Sequence, residues 1–151
     1  VGAKIGRPDV TVVGFAGDGA FGIAVTELTA IGRPEWPAIT MIVFRNSQWG
    51  AEKRNSTLWF EDNFVGTELD EEVSYAGIAQ ACGLKGVQAR TMEDLTAALH
   101  TAIEDQMKHG RTTLIEAMIN QELGDPFRRD AMKKPVPVAG VDRADMRPQA
   151  V

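Results

Sequence analysis

The sequence predicts an α/β fold, a three-layer, doubly wound and mostly parallel sheet. Three observations carry this: near-continuous apolar runs of strand length, helical stripes between them, and a glycine turn closing the first run. The runs are "DVTVVGFAG" (9–17), "AITMIVFRN" (38–46) and "TTLIEAMI" (112–119), all rich in β-branched residues. Strands covered by helices on both faces read this way, because neither side of the strand meets water. At 151 residues, 44% hydrophobic and 25% charged, the chain has the material for one ordinary domain core.

The elements follow in order. The first strand ends in "VGFAGDGAFG" (13–22). From Phe21 to Gly32, Phe21, Val25 and Leu28 fall at i, i+4 and i+7, which lays one face of a helix on the sheet. "GRPEW" closes it, since Pro34 disfavours helical geometry at Arg33. The run 38–46 is the second strand and completes a strand-helix-strand unit. Residues 47–72 keep no period and carry Gly50, Asn55, Asn63 and Gly66 among Trp49, Trp59, Phe60 and Phe64, which predicts a long loop packed by its aromatics. Tyr75, Ile78, Ala79 and Cys82 mark a short helix stopped by Gly83, and "GVQAR" is a short strand. Thr91 with Asp94 three places on forms a capping box, and Leu95, Leu99, Ile103 and Met107 give the stripe of a helix ending at Gly110. The run 112–119 is the last strand. From Asn120 onward, Pro126, Pro135, Pro137 and Pro148 predict an extended C-terminal arm, so the expected organisation is a domain at 1–125 and a tail at 126–151.

Composition narrows the function. A net charge of -5 argues against a general nucleic-acid surface, which needs clustered basic residues, and favours small molecules and other subunits as partners. No apolar run approaches a membrane span and no charged leader precedes an apolar segment, so the expected location is the cytoplasm. The lone Cys82 offers no internal disulfide and reads as a small apolar side chain; no Cys/His pair has zinc-ligand spacing. His100 and His109 read as helix-surface residues, His109 in the last turn where a cation suits the dipole.

Gly17, Gly19 and Gly22 give the G-x-G-x-x-G spacing of a phosphate-binding turn at the start of a helix. The residue between the first two is Asp18. A dinucleotide would set its pyrophosphate against that carboxylate, at a cost of several kcal/mol by Coulomb's law. A hard divalent cation such as Mg²⁺ removes the conflict by joining the carboxylate to phosphate oxygens. Adjacent parallel strands place their carboxyl ends side by side, so Asp18 and Asn46 can converge on one ion, with a backbone carbonyl at Gln48 adding a third oxygen. A dinucleotide fold expects an acid at the end of the second strand; here Arg45 stands there, which could meet a 2′-phosphate and keeps an NAD(P)-binding oxidoreductase domain as an alternative.

The stretch "GDGAFGIAVTELTAIGRPEWPAITMIVFRN" (17–46) resembles the thiamine-diphosphate motif, which opens with Gly-Asp-Gly and closes with an Asn-Asn pair. Two departures are Arg45 in place of the first Asn and a connection about one residue longer at "RPEWP"; neither touches a presumed ligand. The continuation "NSQWGAEKRNSTLWFEDNFVGTEL" is similar to the acetolactate-synthase-like group, and within it to the sulfoacetaldehyde acetyltransferase branch. The resemblance implies thiamine diphosphate and Mg²⁺ as cofactors, with Asp18, Asn46 and the Gln48 carbonyl holding the metal. It also implies that Gly17 and the backbone of Gly19, Ala20 and Phe21 cradle the diphosphate, and that Trp49 and Gly50 line the cofactor site, Trp49 being equally suited to anchor the loop.

Further implications concern the reaction. The implied conversion is of sulfoacetaldehyde and phosphate to acetyl phosphate and sulfite; 2-oxo acid decarboxylation and carboligation, as in acetolactate synthesis, is the alternative. Two anionic substrates call for basic groups, for which Lys53 and Arg54 are candidates, or else a solvated surface patch. Glu52 is a candidate acid/base. Arg128 and Arg129 could close over an anion or meet a neighbouring subunit. Relatives carry about three domains of this size and the resemblance is to the last one. The N-terminal domains, which hold the cofactor-activating glutamate, and a second subunit are therefore expected partners. The isolated chain is expected to be catalytically silent and the intact enzyme a dimer or tetramer.

Overall fold

A computed structural model describes residues 1–122, so the expected tail at 126–151, with Arg128 and Arg129, lies outside the described residues. The order is α1 (Gly2–Gly6), β1 (Val13–Gly17), α2 (Asp18–Ile23), a 3-10 turn (Val25–Glu27), α3 (Leu28–Ile31), β2 (Thr40–Arg45), α4 (Gly50–Trp59), α5 (Tyr75–Ala81), β3 (Lys85–Ala89), α6 (Met92–Lys108) and β4 (Thr113–Met118). The four strands are parallel and lie in the order β1-β2-β4-β3. Gly17 stands opposite Phe44, which brings the carboxyl ends of β1 and β2 together.

Alternation along the strands builds two cores, one on each face. Met41, Val43 and Leu114 pack with Leu28, Tyr75 and Ala79 on one side; Ile42, Ile115 and Ala117 pack with Ala102 of α6 on the other. The layers are thus helix, sheet and helix, as the continuous apolar runs predict. Leu28, Leu114 and Ile115 are fully enclosed, and burial of each such side chain contributes about 1.5–3 kcal/mol. α5 lies against β3 so closely that a Cβ on Gly86 would come 2.0 Å from the carbonyl oxygen of Ala76.

Several expectations are corrected. β1 is shorter than 9–17 and is an edge strand among the described residues; Phe15 is 68% exposed, stacked on Phe44 at 6.2 Å. The helix expected over 21–32 is broken into α2, the 3-10 turn and α3, although Phe21, Val25 and Leu28 do face one core. The unbroken loop expected at 47–72 contains α4. "GAEKRNSTLW" holds good helix formers but no apolar stripe, so propensity rather than periodicity marks it. Nor do the aromatics pack that segment throughout: Trp59, Phe60 and Phe64 are exposed.

In α6 the capping box is as expected, with Asp94 N–H donating to Thr91 and Thr91 N–H to Asp94. Leu95 and Leu99 of the expected stripe pack against the second core, but the fully buried positions are Ala102, Asp105 and Gln106, and Met107 is 41% exposed. Polar partners explain this. Gln106 Nε2 donates to the Val12 carbonyl (2.9 Å) and to Thr40 Oγ1 (2.9 Å), its Oε1 accepts from Val12 N–H (2.8 Å), and Asp105 pairs with Lys85. His100 and His109 are exposed, and Cys82 is half-buried against the first core. No helix among the described residues is long and apolar enough to cross a membrane.

Candidate cofactor-binding site at the carboxyl ends of β1 and β2

The turn after β1 places Asp18 at the first position of α2, with Gly17 in extended geometry before it. The Asp18 side chain is only 2% exposed, and among the described residues no Lys, Arg or His pairs with it. Its charge is met by main-chain dipoles instead. Gly19 N–H donates to Oδ1 at 2.9 Å; Asn46 and Ser47 N–H donate to Oδ2 at 3.1 and 2.6 Å. A carboxylate has about four acceptor positions, so roughly one remains, on Oδ1. A buried anion without a cationic partner is costly, and a bound cation would relieve it.

The loop after β2 is shaped for this contact. Ser47 has φ 54°, the left-handed region that a non-glycine residue seldom occupies, and this turns two successive N–H groups onto one oxygen. An antiparallel strap holds it there: Trp49 N–H donates to the Thr67 carbonyl (2.7 Å) and Leu69 N–H to the Ser47 carbonyl (2.9 Å). Among the described residues Asn46 Oδ1 accepts only a long bond from Gln48 N–H, 3.3 Å, and keeps acceptor capacity. The Gln48 side chain is buried; Nε2 donates to the Gln121 carbonyl at 2.9 Å, while Oε1 has no partner among the described residues.

Gly19 and Tyr75 complete the turn. A Cβ on Gly19 would lie 2.9 Å from the indole ring of Trp49, so only glycine lets the two approach. The Tyr75 hydroxyl donates to the Asp18 carbonyl at 3.1 Å and its ring meets Phe21 edge-on at 5.6 Å. Burial first, then the nearby Asp18 charge, pushes the Tyr75 hydroxyl up, which keeps it a donor. Tyr75 is a neighbour of the turn that periodicity absorbed into a helix stripe. A buried tyrosine hydroxyl needs a partner, and that was its one signal.

The remaining candidates spread along α4. Glu52 is exposed in its first turn. Lys53 is turned away from solvent, paired with Glu68 at 2.5 Å and set 5.4 Å from the Phe64 ring centre. Arg54 is half-buried. Arg45 points elsewhere: it is enclosed at the α5 face in an ion pair with Glu116 at 3.0 Å, so it is not placed to meet a 2′-phosphate. The dinucleotide alternative thereby loses its recognition residue.

No group of three or more His, Cys, Asp or Glu side chains gathers among the described residues. A metal here would therefore be held by the mixed oxygens of Asp18, Asn46 and a carbonyl, which suits a hard ion shared with phosphate. Residues 1–117 match the family described as thiamine pyrophosphate enzyme, C-terminal TPP binding domain. The chain belongs to this family. As such a domain, it is 81% identical over its full 151 residues to the sulfoacetaldehyde acetyltransferase of Roseovarius nubinhibens and 78% identical over 149 residues to that of Rhodobacter capsulatus. It spans 25% of the length of each of these relatives. Its fold matches the thiamine diphosphate-dependent 4-hydroxybenzoylformate decarboxylase of Rhodococcus jostii with a TM-score of 0.64 at 25% identity, over 82% of this chain and 22% of that one.

Proposed function

We propose that this TPP-binding domain serves an enzyme that converts sulfoacetaldehyde and phosphate to acetyl phosphate and sulfite. The observation that carries the reading is the 81% identity to a sulfoacetaldehyde acetyltransferase along the whole chain. Mg²⁺ would be held by Asp18, Asn46 and the Gln48 carbonyl. The backbone of Gly17, Gly19, Ala20 and Phe21 would receive the diphosphate, with Trp49 and Gly50 beside it. When bound, the cofactor supplies a nucleophilic carbon and an electron sink.

The chain's own residues bind, orient and move protons around that chemistry. The N–H groups of Gly19, Asn46 and Ser47 fix the Asp18 carboxylate, leaving one lone pair of Oδ1 for a cation. Glu52, exposed at the start of α4, is the residue to take the proton from the aldehyde carbon. Lys53 and Arg54 are the residues to meet the sulfonate and the phosphate. Lys53 is engaged with Glu68, so an arriving anion would exchange with that carboxylate. The N-terminal domains and a second subunit complete the site in a cytoplasmic dimer or tetramer.

The test is sulfite release by the full-length enzyme given sulfoacetaldehyde, thiamine diphosphate and Mg²⁺, with and without phosphate. Phosphate-dependent release accompanied by acetyl phosphate is expected. Cofactor binding without sulfite release, together with consumption of pyruvate, would overturn the substrate assignment in favour of 2-oxo acid carboligation.

A further inference from the structure

Behind the cofactor site, the end of β2 carries a second polar cluster that the proposed chemistry does not use. Arg45 and Glu116 form an ion pair at 5% and 0% side-chain exposure. The other terminal nitrogen of Arg45 donates to the Glu71 carbonyl. The second carboxylate oxygen of Glu116 accepts from Ala76 N–H (3.0 Å), Ser74 Oγ (3.1 Å) and Gln88 Nε2 (3.1 Å). Both halves of the pair therefore grip one segment, 71–76, which leads into α5.

That segment reaches the cofactor turn. Its Tyr75 hydroxyl donates to the Asp18 carbonyl, while the chain that carries Arg45 continues directly into Asn46 and Ser47, whose N–H groups hold the Asp18 carboxylate. Asp18 is thus held from two sides, and a single buried pair sets the spacing between those sides. Stability alone is a weak reason to keep such a pair, because desolvation offsets most of the attraction between buried charges.

We propose that Arg45 and Glu116 are positioning residues for the cofactor turn: the guanidinium fork locks the end of β2 to the start of α5 and so fixes the Asp18 carboxylate. The proposal rests on the cofactor reading above and deepens it. Geometry points to arginine in particular, since its planar fork reaches Glu116 and the Glu71 carbonyl together, whereas one ammonium on a flexible stem does not.

Two variants of the full-length enzyme test this. Arg45→Lys keeps the charge opposite Glu116 and loses the fork; Arg45→Met/Glu116→Gln removes both charges and keeps an acceptor for Ala76. Three quantities are measured: the melting temperature without cofactor, amide hydrogen exchange in peptides covering 44–49 and 71–76, and calorimetric affinity for thiamine diphosphate with Mg²⁺. In both variants the melting temperature is expected to stay near the parent's and exchange to quicken in those two peptides alone. Cofactor affinity is expected to fall about tenfold, the scale of losing an outer partner of a metal ligand. Parent-like exchange and affinity in Arg45→Lys would overturn the proposal, as would exchange quickened evenly across the domain. Because exchange is read without cofactor, a parent enzyme that bound none would refute the cofactor reading while the positioning result still stood.

Discussion

At the scale of single residues, Asp18 is the pivot, and its surroundings change which substitution is informative. Alanine would orphan the buried N–H groups of Gly19 and Ser47, each at a cost of about 1–3 kcal/mol, and the half-buried one of Asn46, and so confuse folding with binding. Asparagine removes the charge and keeps one oxygen for the Asn46 and Ser47 N–H groups, so that only the Gly19 N–H loses its acceptor. Gly19→Ala is expected to cost about 1–3 kcal/mol, because its Cβ would press on the Trp49 ring. A lower melting temperature and a shifted tryptophan emission would report it, whereas unchanged emission would mean that Trp49 does not rest there.

Glu116 makes a pH prediction. Burial pushes its carboxyl up, but hydrogen bonds from Ala76, Gln88, Tyr75 and Ser74 outweigh this and hold it below its usual 4.5. A folded value below the unfolded one stabilises above the unfolded pKa and is lost as pH falls through the folded value. Melting temperature should therefore drop as pH is lowered beneath about 4.5, and Glu116→Gln should flatten part of that drop; identical profiles for both proteins would contradict it. The nearness of residue 46 to Asp18 was legible in the sequence, since neighbouring parallel strands end together, whereas the contact through the Asn46 main-chain N–H was not. The inward turn of Arg45 was not, because its partner lies 71 residues away.

At the scale of elements, periodicity found the buried strands and α5 but missed α4, whose helix formers carry no apolar stripe. On α6 it found Leu95 and Leu99, which pack on the second core, but not Asp105 and Gln106, which are buried with partners on other elements. A hydrophobic stripe does not encode such long-range polar satisfaction. The capping box, by contrast, is local and was readable. Thr91→Ala should cost about 1 kcal/mol, measured as a fall in denaturation midpoint with an unchanged slope. A midpoint equal to the parent's would show that Asp94 alone secures that helix end.

At the scale of the whole molecule, the described residues form a layered sheet with the site at its carboxyl end, and the chain amounts to a quarter of its relatives' length. Phe15 is exposed on β1, which is an edge strand among the described residues. An apolar, unprotected edge favours association, so the isolated chain is expected to self-associate in sedimentation; a monodisperse monomer would contradict this.

The most direct test of the site is calorimetric titration of thiamine diphosphate into the full-length enzyme and its Asp18→Asn variant, with and without Mg²⁺. The parent should bind only with the metal present, and Asp18→Asn should lose more than about 100-fold in affinity, beyond the range of outer partners, while its melting temperature falls by no more than the loss of the Gly19 hydrogen bond accounts for, about 1–3 kcal/mol. Equal affinity for the two proteins, or binding indifferent to Mg²⁺, would contradict the assignment of Asp18 as the metal-holding carboxylate.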